Sequence, residues 1–326
     1  MEKSIDGFTL KELNEYKGCS RKAADFDEYW ERALKELDAV EPDVDLKPAS
    51  YISEIADCFD MSFTGIDGAR LTAKYLRPKK EGKHGCVLCF HGYSAYSTDW
   101  VSYIPFAAEG LSVIATNCRG QGNDSEGVFR DNTHWNMFGH VMRGIRGNDD
   151  DLAFRAHFLD TVQAARIAEK LPEVDPTKIG TYGSSQGGAL SIVCSALYGK
   201  INRTVSACPF MSDFEHAVEC REIYTFECGV SYAELREYFT RFDQEHKTYD
   251  DVMRKLSYLD VVNFAPKVKN EALMGLSMQD PICPPASHFA VYNNLGGKKR
   301  RHVYFDLGHD EGYGFQDDTV QFLKGM

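Results

Sequence analysis

The sequence holds no H-E-x-x-H, no pair of C-x-x-C motifs and no G-x-G-x-x-G after an apolar strand run. The first two absences remove the usual zinc signatures and the third removes a dinucleotide-binding turn, so the expectation is no metal and no cofactor. No run of about 18 apolar residues occurs, which excludes a helical membrane span. The opening stretch Met1-Glu2-Lys3-Ser4-Ile5-Asp6 lacks an apolar signal region, which points to a cytoplasmic protein with no membrane partner. Positive charge is short: 37 Lys and Arg stand against 49 Asp and Glu, a net charge of −12. An acidic surface argues against nucleic acid and against an anionic membrane face. No disulfide framework is visible among the ten cysteines. Eight are scattered, and Cys86 and Cys89 share the apolar run Gly85–Phe90, where residues three apart on a strand face opposite ways. All ten read as reduced and mostly packed, as in a reducing compartment.

What is present is a chain of 326 residues, 43% of them hydrophobic, enough for one large α/β domain with a sizeable core. Residues 1–25 are polar and mixed and read as a loosely structured N-terminal arm. Residues 26–326 read as a single domain. Phe26, Trp30, Leu34 and Leu37 keep helical spacing. Residues 48–77 alternate as N-terminal antiparallel strands around a turn at Gly65-Ile66-Asp67-Gly68. Short apolar runs follow at Cys86–Phe90, Leu111–Thr116, Ile179–Tyr182, Val205–Cys208, Ala272–Leu276 and His302–Phe305. Between them come helical stretches at Trp100–Ala108, Asp149–Leu171 and Ser185–Leu197, and one more from about Tyr313. Residues 123–148, with Trp135 and Phe138, suggest a long ordered loop. The basic run Lys298–Arg301 reads as a solvated turn before the last strand. Residues 212–262 change character. They carry three helical patterns and no strand, and read as a helical insertion over the sheet. Its aromatics Tyr224, Phe226, Tyr232 and Phe239 either pack the insertion or line a pocket. Strands alternating with helices predict a doubly wound, mostly parallel sheet, with its site at the carboxyl ends of the strands.

One stretch fits such a site closely. Lys178–Leu190 reads as strand, sharp turn and helix, and contains G-x-S-x-G with Gly183, Ser185 and Gly187 in the fixed places. A serine raised on so tight a turn needs small neighbours two residues either side. Asp280 and His309 each follow a later strand run, which gives the chain order Ser, Asp, His of an α/β-hydrolase triad. The three types suit acyl transfer. Serine is a weak nucleophile until a base takes its proton, neutral histidine is that base, and a buried carboxylate fixes its tautomer. Ser185 is the expected nucleophile, His309 the base and then acid, and Asp280 the orienting carboxylate. Asp310 and Glu311 compete with Asp280 but lie too close in sequence to His309 to reach its Nδ1 comfortably. His91 is expected to shape a loop. The backbone N–H groups of Gln186 and Tyr93 are the expected oxyanion donors. The Tyr93 ring is a candidate for substrate contact.

Taken together, Arg119-Gly120-Gln121-Gly122, Gly183-Ser184-Ser185-Gln186-Gly187-Gly188, Asp280 with Cys283-Pro284-Pro285, and His309 resemble the acetyl xylan esterase and cephalosporin C deacetylase family, carbohydrate esterase family 7. The helix start Asp25–Trp30 and Met142-Arg143-Gly144-Ile145 fit as well, so the resemblance runs from about residue 24 to the end. It implies an α/β-hydrolase fold and deacetylation of small acetylated carbohydrates, chiefly xylo-oligosaccharides, with some tolerance for cephalosporin-type acetyl esters. It also implies a small acyl pocket, an intracellular homohexamer, and Arg119 and Gln121 as supports of the active-site loops. Two stretches depart from the family pattern: His309-Asp310-Glu311, and Arg146–Asp151 where the family tends to carry a tyrosine-rich segment. Two other readings compete. A peptidase of the prolyl oligopeptidase type would need an extra domain that 326 residues do not hold, and a binding protein built on a hydrolase fold would be expected to lose a triad member.

Overall fold

The computed structural model describes residues 3–122, 124–131, 139–220 and 232–326. Trp135, Phe138, Tyr224 and Phe226, singled out above, lie outside the described residues. The chain opens with α1 (Leu10–Glu15) and α2 (Phe26–Asp38). Strands β1 (Asp45–Pro48), β2 (Ala56–Thr64), β3 (Arg70–Pro78) and β4 (His84–Phe90) follow, then α3 (Ile104–Ala108), β5 (Ser112–Thr116) and α4 (Ala153–Lys170). Next come β6 (Val174–Ser184), α5 (Gln186–Tyr198) and β7 (Arg203–Ala207). The insertion supplies α6 (Phe214–Glu219), α7 (Ala233–Phe242), α8 (Tyr249–Ser257) and the short α9 (Val261–Phe264). The chain closes with β8 (Glu271–Ser277), α10 (Pro285–Asn294), β9 (Lys299–Tyr304) and α11 (Phe315–Lys324).

Among the described residues one nine-stranded sheet runs β1-β2-β3-β5-β4-β6-β7-β8-β9. The first three strands pair antiparallel, β3 joins β5 antiparallel, and β5-β4-β6-β7-β8-β9 are parallel. The burial pattern follows from this. Every residue of β4 and β5 is buried, as parallel strands covered on both faces require, whereas β2 alternates. One core layer packs Phe26, Trp30, Phe158 and Phe264 on one face of the sheet, and a smaller one packs Phe106, Phe315 and Phe322 on the other. Trp30 is buried, and its indole N–H donates to the Tyr258 carbonyl at 3.1 Å, so its polar edge is satisfied.

Several expectations shift. Residues 3–25 are not loose. Thr9 and Glu12 form a capping box on α1, Leu13 is buried, and Asn293 Nδ2 donates to the Leu13 and Tyr16 carbonyls. The stretch Trp100–Ala108 is a 3₁₀ turn followed by a short helix, with Pro105 in its first turn. Helix α4 starts at Ala153, because the Asn148–Asp151 capping box closes a separate 3₁₀ turn first. Lys299, Arg300 and Arg301 belong to β9 itself. As the last strand of the sheet it carries charge where an unpaired edge invites a neighbour.

Candidate active site

Ser185 sits between β6 and α5 with φ +59° and ψ −121°, a left-handed conformation that a non-glycine residue holds at a cost of about 1–3 kcal/mol. Its surroundings fix it there. Ser185 N donates to the Ala207 carbonyl on β7 at 2.9 Å, and its own carbonyl accepts from Ala189 N and Phe210 N, both at 3.0 Å. The flanking glycines are sterically required. A Cβ on Gly187 would stand 2.0 Å from the Phe90 carbonyl oxygen, and one on Gly183 would stand 2.4 Å from the Gly187 carbonyl carbon. Helix α5 therefore passes against the ends of β4 and β6 with no room for a side chain.

His309 follows β9, and Asp280 follows β8. The imidazole Nδ1 lies 2.7 Å from Asp280 Oδ2. Asp280 is fully buried, and its other oxygen accepts from Ile282 N at 2.8 Å and Cys283 N at 2.9 Å. Burial alone would raise its pKa. The His309 hydrogen bond, the neighbouring His288 and the Cys283 N–H outweigh that and hold the carboxyl below its ordinary value. The competing acids are elsewhere. Asp310 is exposed, and Glu311 accepts from the Tyr182 hydroxyl at 2.9 Å and the Gln316 amide at 3.2 Å. Burial lifts the Glu311 carboxyl above its ordinary value. His91 is buried, with Nε2 accepting from Cys118 N at 2.9 Å and Nδ1 donating to the Gly92 carbonyl at 2.7 Å. Burial lowers its pKa, and both nitrogens are committed to loop structure.

Three strand-end loops are tied to this pair. Gln121, after β5, donates from Nε2 to Gln186 Oε1 at 2.9 Å, and its own Oε1 accepts from Ser94 N at 3.0 Å. It thus joins the start of α5 to the loop after β4 that carries Tyr93. Arg119 is fully buried and bidentate on Asp160 of α4, at 2.7 and 2.8 Å. Its remaining nitrogen, Nη1, donates to the Val128 carbonyl at 2.6 Å, and Nη2 also donates to the Ile66 carbonyl at 2.9 Å. Burial raises the Asp160 carboxyl, and the Arg119 charge opposes this. The Tyr93 hydroxyl is not free for a ligand: it donates to Glu234 of α7 and accepts from His140 N.

A cavity of about 730 Å³ opens beside Ser185 and His309. It runs over Tyr93 and Ser94 toward Phe106 of α3 and Thr319 of α11. The insertion's described aromatics do not line it. Tyr232 is buried and its hydroxyl accepts from Ser212 N at 3.0 Å, while Phe239 packs against Tyr238 and Tyr249. Nor does the departing segment 146–151. Asp149 pairs with Arg254 at 2.8 Å, Asp150 with Arg32 at 2.9 Å, and Arg146 sits over the Phe242 ring. Ligand atoms of Cys208, Asp280 and His309 converge within 4.8 Å. As a metal set they are poor, since Nδ1 and Oδ2 already satisfy each other and burial pushes the Cys208 thiol far up.

A profile of the acetyl xylan esterase (AXE1) family matches residues 4–326. The chain belongs to that family. It is 41% identical to acetyl xylan esterase 1 from Thermoanaerobacterium sp. JW/SL YS485, whose structure superposes with a TM-score of 0.93 over 98% of each chain. An acetyl xylan esterase from Paenibacillus sp. R4 is 28% identical, with a TM-score of 0.90 over 98% of this chain and 99% of that one. Acetyl esterase Axe7A from Xylanibacter ruminicola is 24% identical over 90% of this chain, and the chain spans 64% of its length. An α/β hydrolase from Penicillium sp. sh18, 16% identical with a TM-score of 0.56 over 82% of this chain and 98% of that one, shows the shared fold alone.

For this member of the acetyl xylan esterase family, sequence reasoning missed residues behind the site. His288 of α10 is fully buried with Nε2 3.4 Å from Asp280 Oδ2, and Cys283 and Cys208 pack around the same carboxylate. Glu234 reaches the Tyr93 loop from the insertion. Cys283 carried a sequence signal through its place after Asp280, and His288 follows that motif by three residues, whereas Cys208 and Glu234 lie away from the motifs.

Proposed function

We propose that the protein is a serine esterase that removes acetyl groups from small acetylated carbohydrates, acetylated xylo-oligosaccharides foremost. The observation that carries this reading is His309, held by the buried Asp280, lining the same cavity as a strained Ser185. Ser185 Oγ attacks the acetyl carbonyl as His309 takes its proton. The N–H groups of Gln186 and Tyr93 hold the developing oxyanion, a contribution worth about 2.7–4 kcal/mol per donor. His309 then protonates the sugar oxygen as it leaves, and activates water to release acetate. Asp280 holds the Nδ1–H tautomer throughout. Gly183 and Gly187 keep the elbow closed, and Arg119 and Gln121 brace the loops around it.

The family likeness extends the proposal to cephalosporin-type acetyl esters and to a homohexamer. Setting Cys118 aside, the other eight described cysteines are free thiols, which suits a reducing cytoplasm. The test is acetate release from acetylated xylo-oligosaccharides, run beside p-nitrophenyl acetate and butyrate, with wild type and Ser185→Ala. The expected result is acetate from the sugar, acetyl favoured over butyryl, and a loss of several orders of magnitude in the variant. Cleavage of synthetic esters without the sugar would leave the triad and remove the substrate. Cleavage of neither would remove the esterase reading. Sedimentation velocity tests the hexamer.

A further inference from the structure

The loop carrying Asp280 is gripped at both ends by the N-terminal arm. Ile5 N donates to the Met278 carbonyl at 2.9 Å, and Gln279 Nε2 donates to the Lys3 carbonyl at 3.0 Å, just before Asp280. At the far end, Asp6 Oδ2 accepts from Ala286 N at 2.8 Å, in the first turn of α10. The Asp6 side chain is fully buried. Its Oδ1 accepts from the Ser4 hydroxyl, and its Oδ2 also lies 3.4 Å from His216 Nε2 on α6 of the insertion. Burial would raise the Asp6 carboxyl, but His216, Ser4 and the Ala286 N–H outweigh it and keep it ionised. His288, two residues beyond Ala286 in α10, faces Asp280 at 3.4 Å. A buried anion at that helix end therefore fixes how far α10, and with it the loop 280–285, stands from His309.

We propose that Asp6 is a positioning residue for the reaction, holding the Asp280 loop through Ala286 so that the carboxylate meets His309 Nδ1. This rests on the esterase reading above. It gives the arm a role in turnover: the acid of the triad is seated by residues at the opposite end of the chain. A displaced carboxylate leaves substrate binding intact and disorients the base, and misplacement by about 1 Å can cost 100-fold.

The test is steady-state hydrolysis of p-nitrophenyl acetate by the full chain. Wild type, Ser185→Ala, Asp6→Ala, Asp6→Asn, Ile5→Pro and Thr9→Ala are compared, with thermal unfolding of each. Asp6→Ala is expected to lower kcat at least about tenfold with KM within about twofold, and Asp6→Asn, which keeps an acceptor for Ala286 N, to recover most of it. Thr9→Ala weakens the α1 cap without touching the loop and should lower only the unfolding temperature. Ile5 occupies the second place of the turn closed by Gly7 N on the Ser4 carbonyl, where proline is favoured. Ile5→Pro therefore removes the N–H given to Met278, the arm's other hold on this loop, and should also lower kcat. Wild-type kcat in Asp6→Ala, or in Ile5→Pro where Asp6→Ala is insoluble, overturns the proposal. Turnover by wild type but not Ser185→Ala in the same assay keeps that failure distinct from failure of the esterase reading.

Discussion

Replacing Asp280 by asparagine tests the triad most sharply, because the structure separates its two jobs. Asp280 Oδ1 receives the Ile282 and Cys283 N–H groups, and Oδ2 receives His309 Nδ1–H at 2.7 Å. Asparagine can keep the first job, since its carbonyl oxygen replaces Oδ1 and the loop stays folded. Its amide N–H₂ then faces His309 Nδ1 and forces the proton onto Nε2, the nitrogen that accepts from Ser185 in the proposed mechanism. The imidazolium formed during attack also loses its buried counter-charge. In an Asp-to-Asn change of this kind kcat falls about 10⁴-fold, or roughly 5.4 kcal/mol at 1.36 kcal/mol per decade. The assay is saturating p-nitrophenyl acetate turnover, with thermal unfolding as a control. The unfolding temperature should move little while kcat collapses. Asp310→Asn and Glu311→Gln should each stay within about threefold, because neither carboxylate meets His309. A loss under tenfold in Asp280→Asn, or a large loss in Asp310→Asn, would refute the assignment.

Arg119→Met strands the Asp160 carboxylate in the core and should cost about 3–5 kcal/mol by denaturant unfolding, with Arg119→Met/Asp160→Leu recovering part of it. Gly187→Ala would drive a methyl into the Phe90 carbonyl; it should give insoluble or inactive protein, and soluble enzyme of normal activity would contradict the packing. Glu234 is buried, which lifts its carboxyl from 4.5 to about 8 despite the donors on it. A raised folded value means its stabilising contribution is complete below about pH 4.5 and is lost as pH rises through 8. The unfolding free energy of wild type should therefore fall relative to Glu234→Gln between pH 5 and 9, and parallel curves would count against the shift.

What the sequence made legible was what local sterics impose. The elbow could be read because Gly183, Ser185 and Gly187 must sit at fixed offsets for a helix to pass over a strand end. Asp280 and His309 could be read because each follows an apolar run, and parallel strands deliver such residues to one edge of the sheet. Charge patterns misled where a strand edge mimics a turn. Lys299–Arg301 are polar because β9 ends the sheet, not because the chain bends there. The arm misled for the same reason. It is polar by composition, but its groups are spent on distant partners: Asn293 on the Tyr16 carbonyl, and Asp213 on the Tyr16 hydroxyl and Ser20 N.

Tyr93 shows the limit of local reading most plainly. Its place after β4 makes its backbone N–H the proposed oxyanion donor, and nothing nearby in sequence decides where its ring goes. The deciding group is Glu234, on a helix of the insertion, whose carboxyl collects the Tyr93 hydroxyl at one oxygen and Met142 N at 3.2 Å at the other. A buried carboxyl needs donors, and a tyrosine on a strand-end loop supplies one without disturbing its own backbone. The insertion therefore reaches the loop of the proposed oxyanion donor through Glu234, and its described aromatics stay off the wall of the cavity beside Ser185. On this argument Tyr93→Phe should lower kcat about tenfold or more while leaving KM nearly unchanged, because the donor it displaces serves the transition state more than the ground state. A change confined to KM would mean that the ring meets substrate after all.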